Sequence, residues 1–230
     1  NPVRYIDSNG MEIGDYYNEW GGYLGTDGID DKKVYVVNSG SELNYNAPYQ
    51  ASSMVSTQQD YNSSMDGVNY IGSKNEFGLI QLTGMGLQCI QNNDAGEDNY
   101  SYMKKDGSFS AKGKHGDDWV TPSTGVAFYG AVKRSGANVV VNDASAYNPS
   151  YDLGHKSHKK GIDIDFRYIT ENDIGSSNVK NLSIINKNLN NNFVRELRAS
   201  GFKKIFSDGS IQGTIRDNSG IHDNHIHAGR

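Results

Sequence analysis

From Ile162 to Arg167 the sequence IDIDFR alternates strictly between apolar and polar residues. Successive side chains of an extended chain point to opposite faces. Ile162, Ile164 and Phe166 therefore face one way, and Asp163, Asp165 and Arg167 the other. The stretch reads as a half-buried strand with an apolar rail on a core. Its two aspartates share the far face, about 6–7 Å apart. Two histidines, His155 and His158, stand just before it in GHKSHKK. Three more, His222, His225 and His227, crowd the closing HDNHIHAGR, which leaves only His115 elsewhere.

If HIH is also extended, His225 and His227 share a face. With the two strands side by side, Asp165, His225 and His227 converge, and His158 folds back over them from the preceding loop. Zinc suits such a set: it takes imidazole nitrogen and carboxylate oxygen at about 2.0–2.2 Å, and a catalytic site keeps three protein ligands and one water. His158, Asp165 and His227 supply the three, with His225 beside the water. The plainer reading is a solvated basic loop with idle histidines. Two clusters holding five of the six histidines weigh against it. Asp163 is either a carboxylate orienting a ligand imidazole or a plain surface acid. His222 either lines the site or is solvated. His115, in KGKHGDDW, reads as a loop residue and Trp119 as core.

The rest of the chain fits a loop-rich domain. Its 230 residues are 35% hydrophobic and include 27 glycines and 15 tyrosines, a composition for short elements and many turns. The net charge of −5 argues against a general grip on nucleic acid phosphates. The single cysteine, Cys89, excludes an intramolecular disulfide and reads as an inert thiol. No apolar run is long enough to span a membrane. The chain opens on Asn1-Pro2, with no initiator methionine, and reads as a piece of something longer.

Asn9-Gly10 and Asp27-Gly28 are hairpin-like turn signals. FGLIQLTGMGL (77–87) is apolar but fits a strand or a helix start equally. TPSTGVAFYGAVKRSG predicts a helix, with Thr121 as N-cap, Pro122 in the first turn and Gly136 past the end. Val139–Val141 reads as a buried strand. NNNFVRELRASG predicts a second helix with Phe193, Val194 and Leu197 on one face and Gly201 closing it, before a strand in FKKIF. Irregular interleaving of these elements predicts an α+β fold. A small antiparallel sheet carries the zinc site, flanked by helices and long loops.

Two resemblances extend this reading. Gly154-His155-x-Ser157-His158-x-x-Gly161-x-Asp163-x-Asp165, with the late His225-x-His227, resembles the penicillin-insensitive murein endopeptidases, which group with lysostaphin-type and D-alanyl-D-alanine metallopeptidases. The likeness covers about residues 115–230. It implies zinc ligands His158, Asp165 and His227, a catalytic His225, an auxiliary His155, a turn of Ser157 and Gly161 that presents His158, and peptidoglycan cross-links as substrate. NPVRYIDSNGM resembles the end of the Rhs-repeat core, where a shell-forming protein hands over to a variable toxin; this chain has Asp7-Ser8 where that pattern carries Asp-Pro. It implies a core-like tail or linker at 1–40 and a toxin domain at 41–230. It further implies a secreted effector that acts in a rival's periplasm, and a cognate immunity protein.

Three functions stand open at this point: a zinc peptidoglycan endopeptidase or carboxypeptidase, a metal-dependent nuclease toxin, and a non-catalytic cell-wall-binding module. The acidic balance disfavours the second, and a retained His225 the third. The absence of HExxH excludes the glutamate base of that other zinc-protease class.

Overall fold

The structure, a computed structural model, describes residues 13–30, 32–38, 67–83, 85, 90–92, 99–103, 109–114, 117–150, 157–171 and 184–230. The Rhs-like opening with Asn9-Gly10, and Cys89, His115 and His155, lie outside them. The chain runs through β1 (Ile13–Asn18), β2 (Tyr23–Asp30), β3 (Lys33–Val37), β4 (Val68–Ser73), β5 (Ile80–Gln81) and β6 (Ile90–Asn92). It continues through β7 (Asn99–Met103), β8 (Phe109–Lys114), β9 (Trp119–Val120), helix α1 (Pro122–Ser135) and β10 (Val139–Asp143). Then come β11 (Asp163–Arg167), helix α2 (Lys187–Ala199), β12 (Lys204–Ser207), β13 (Ile215–Arg216) and β14 (His225–Gly229). The fold is α+β.

The principal sheet has the order β13-β12-β14-β11-β10-β6. Its four central strands are antiparallel neighbours, as expected, but β13 and β6 add parallel pairings at the two edges, so the sheet is mixed. One face of this sheet makes the core. Ile164 and Phe166 of β11, Ile226 and Ala228 of β14, Val139 and Val141 of β10 and Ile205 of β12 are all buried against the two helices. α1 contributes Val126, Phe128 and Val132, and α2 Phe193, Val194 and Leu197. Phe128, Phe166 and Phe193 meet edge to face, with centroids 5.1–6.0 Å apart. Side chains one residue out of phase must therefore lie on the opposite face, and that face carries the histidines and aspartates.

The helix ends follow local chemistry. Thr121 caps α1 by accepting the Thr124 N–H, and Gly136 closes it in the left-handed region at φ 70°. In α2 the Asn186 side chain accepts the Leu189 N–H, and the helix ends at Ser200. Arg134 of α1 reaches Glu196 of α2 at 2.9 Å and joins the two helices. Among the described residues no helix is long and apolar enough to cross a membrane.

A second sheet, β2-β1-β3-β4, lies beside α1. Its Tyr17, Val34, Val36 and Ile71 belong to the same core as the helices. Asp27-Gly28, read as a turn, falls within β2 instead. The chain reverses earlier, where the Asn18 side chain accepts the N–H groups of Trp20 and Gly22 and fixes a turn around Gly21. Among its described residues, the ambiguous 77–87 segment contributes the two-residue β5, paired with β9. Asn75 explains the brevity: its side chain accepts the Phe77 and Leu79 N–H groups and holds a turn up to Ile80.

Candidate metal centre

β11 and β14 are antiparallel neighbours in the register Asp163↔Gly229, Asp165↔His227 and Arg167↔His225. Residues opposite each other in such a pair share a face. The pairing therefore gathers Asp163, Asp165, Arg167, His225 and His227 on the side away from the helices. Phe206 of β12 is the register partner of His227 and joins the same face.

His158 comes from the turn before β11. Lys159 N–H donates to the Ser157 carbonyl, and Gly161 closes the turn at φ 67°. A Cβ on Gly161 would stand 2.7 Å from the Thr121 nitrogen, so close approach as well as backbone conformation requires glycine there. Gly161 N–H donates to the Ser145 hydroxyl at 2.7 Å, and its carbonyl accepts from Thr121 N–H at 2.8 Å. The turn is thereby sewn to the start of α1. It presents His158 as a buried side chain, with Ser157 exposed at its entrance.

His158, Asp165 and His227 are all buried, and one donor atom from each lies within 4.8 Å of the other two. Asp165 Oδ2 is 3.2 Å from His158 Nε2, and Asp165 Oδ1 accepts from His227 Nδ1 at 2.7 Å. A metal bound at about 2.0–2.2 Å needs a donor tetrahedron with edges of about 3.3–3.6 Å. The three donors stand close enough together for side-chain adjustment to bring them onto one ion. The cluster can hold a metal ion.

Asp163 serves the cluster from behind. Its Oδ1 lies 3.4 Å from His227 Nε2, the ring nitrogen turned away from Asp165. Gly229, its register partner, makes the room, since a Cβ there would sit 2.6 Å from Asp163 Oδ1. A carboxylate behind a ligand imidazole fixes its tautomer and orientation.

Electrostatics follow the same geometry. Burial alone would raise the pKa of Asp165, but hydrogen bonds from His158 and His227 outweigh it and keep the acid ionised well below the usual carboxylate range. Burial pushes His227 down, yet Asp163 and Asp165 overcome it and raise the imidazole to about 9. His225 goes the other way: burial lowers its pKa, Asp165 opposes the shift, and His222 and Arg167 add to it.

His225 stands beside the cluster, with Nε2 3.4 Å from Asp165 Oδ2 and Nδ1 2.7 Å from the Asn224 side-chain oxygen. Because a carboxamide oxygen only accepts, Nδ1 donates to Asn224, and Nε2 lies on the side of the cluster. His222 also packs here. Its ring lies 4.9 Å from that of His225 and stacks on Phe206 at 5.6 Å, and Asp217 holds its Nδ1 at 2.9 Å. Tyr168 ties this loop to the end of β11, its hydroxyl 3.0 Å from the His222 carbonyl and accepting the Asp208 N–H.

Arg167, Asn224, Phe206 and Tyr168 were not singled out by sequence reasoning as parts of the site. Arg167 and Asn224 carried a signal, one at the next same-face position after Asp165 and the other beside His225. Phe206 and Tyr168 are placed by strand order and loop path. Compared with protein-family models, with curated proteins and with solved structures, the chain matches none.

Proposed function

We propose that this chain is a zinc-dependent peptidase that hydrolyses the peptide cross-links of peptidoglycan, working as the toxin domain of an Rhs-type secreted effector in a rival's cell wall. The observation that carries the reading is the buried His158–Asp165–His227 cluster with a fourth histidine, His225, beside it, its Nε2 3.4 Å from Asp165 Oδ2. Two imidazoles and one carboxylate, with a supporting acid behind, are a donor set that suits zinc. His158, Asp165 and His227 would hold zinc, which would supply Lewis acidity there. His225 would serve as the base for the attacking water, while Asn224 holds its ring by Nδ1. Asp163 keeps the His227 ring in place through the other nitrogen. The stacked rings of His222 and Phe206 pack beside His227.

The choice of peptidoglycan rests on the resemblance of the GHKSHKKGIDID and HIH motifs to the murein endopeptidases, and the toxin role on the Rhs-like opening. A cognate immunity protein is expected to block the cleft. The test is to incubate zinc-loaded protein with sacculi and identify the fragments by mass spectrometry. New amine termini at cross-links are the expected result. Intact cross-links together with degraded DNA or RNA would replace this reading with a nuclease.

A further inference from the structure

Arg167 sits on the site face, directly opposite His225 in the β11–β14 register. Its Nε and Nη1 are buried, and neither meets a hydrogen-bond acceptor among the described residues. A buried guanidinium normally finds a carboxylate or carbonyl, because leaving its N–H groups unmatched is costly. The nearest acid on the neighbouring strand does not fill that need: Asp143 forms no ion pair with Arg167 and instead accepts from the Asn142 side chain at 3.3 Å. Two buried nitrogens of this guanidinium thus lack an acceptor among the described residues, on the strand face that carries the candidate catalytic histidine.

We infer that Arg167 is the carboxylate anchor of this site, receiving a substrate carboxylate carried on the carbon next to the scissile amide nitrogen. A guanidinium fork matches a carboxylate in shape and charge. Asp143, Asp163 and Asp165 share the face, which disfavours a polyanionic strand and favours a peptide bearing one carboxylate near the cut. This assignment rests on the peptidase reading and deepens it by naming the chemical class of the bond. The anchored carboxylate would hold the amide beside His225, so Arg167 determines specificity and positions substrate while His225 moves the proton.

The test uses the zinc-loaded 230-residue chain and two probes, N-acetyl-D-alanyl-D-alanine and the same dipeptide as its C-terminal amide. Wild type should bind the free carboxylate at least about tenfold more tightly than the amide, the preference a charge-assisted hydrogen bond gives. Arg167→Gln should reduce that preference to under about twofold, with zinc content and amide binding unchanged. Arg167→Lys, which keeps the charge but not the fork, should fall between them and carries the test if the glutamine variant does not fold. Wild type that binds the two probes alike, or binds neither, would overturn the assignment. So would a preference that survives in Arg167→Gln, or tighter Arg167-dependent binding of a dinucleotide monophosphate. Sacculi left uncut by a wild type that still prefers the carboxylate would sink the peptidase reading and leave the anchor standing. Sacculi cut equally by wild type and Arg167→Gln, with no carboxylate preference, would do the reverse.

Discussion

His225 and His227 are two residues apart on one strand face, yet their surroundings drive them in opposite directions. His227 lies between two carboxylates and is raised to about 9, whereas partial burial lowers His225, Asp165 opposing the shift and Arg167 adding to it. They should therefore fail differently. His227→Ala is expected to lose bound metal, read by metal analysis after dialysis. His225→Ala should keep it and lose about 10²–10⁴-fold in turnover, the range for removing a general base. The same contrast fixes a pH dependence for metal-free protein. A folded pKa above the unfolded value of about 6.5 gives stability that is complete below pH 6.5 and lost as pH rises through about 9. The metal-free melting temperature should accordingly fall between pH 6.5 and 9, by on the order of 5 °C in a scan series. Metal competes for the proton on His227, so affinity should climb over the same window, by up to about tenfold per pH unit. A flat melting profile would show that His227 is not held by Asp163 and Asp165.

At the scale of elements, one helix residue anchors the site-bearing strand. Asn190 of α2 is fully buried; its oxygen accepts the Ile169 N–H and its nitrogen donates to the Ile169 carbonyl. It replaces a strand partner for the chain just beyond β11. Asn190→Ala should leave the Ile169 N–H unsatisfied, while the Ile169 carbonyl keeps the Asn186 N–H, and cost about 1–3 kcal/mol in chemical denaturation. A loss under about 0.5 kcal/mol would mean that the strand end is held elsewhere. The position was legible in principle, because Asn190 lies in phase with Phe193, Val194 and Leu197. What the helical spacing does not reveal is that this asparagine faces a strand end with its backbone groups open. Both helices and the faces of β11 were legible for a comparable reason, since their caps and periods operate within a few residues. Asp27-Gly28 misled because a turn dipeptide competes with strand pairing, and here the partner β1 prevails.

Across the whole molecule, the N-terminal sheet, α1 and the end of β14 are fastened at one corner. Arg230 donates to the Ser123 hydroxyl at 2.6 Å and to the Trp20 carbonyl at 3.2 Å, and Ser123 donates to the Gly21 carbonyl. The metal cluster fastens the opposite face of the principal sheet by joining the His158 turn, β11 and β14. A metal that binds only the folded chain should then stabilise all of it. At a free concentration about 100-fold above Kd the gain is about 2.7 kcal/mol, or roughly 5–10 °C in calorimetry. Chelation should remove that gain, and His227→Ala should never show it.

The sequence by itself determined the parts. The alternation through Asp163 and Asp165 defines a two-faced strand, Thr121 and Gly136 bound a helix, and the histidine clusters name a candidate donor set. Each of these is a short-range property, set by side-chain direction and backbone capping. Only the tertiary structure decided that β14 pairs with β11 in the register that puts His227 opposite Asp165, and that β12 brings Phe206 beside them. It alone showed Asp163 behind His227, Asn224 on His225, and two buried Arg167 nitrogens without an acceptor among the described residues. The reason is that strand order and register are fixed by packing one sheet face on two helices, between segments some sixty residues apart. A one-residue slip of β14 would turn His225 and His227 into the core, and no local pattern records which register the core accepts.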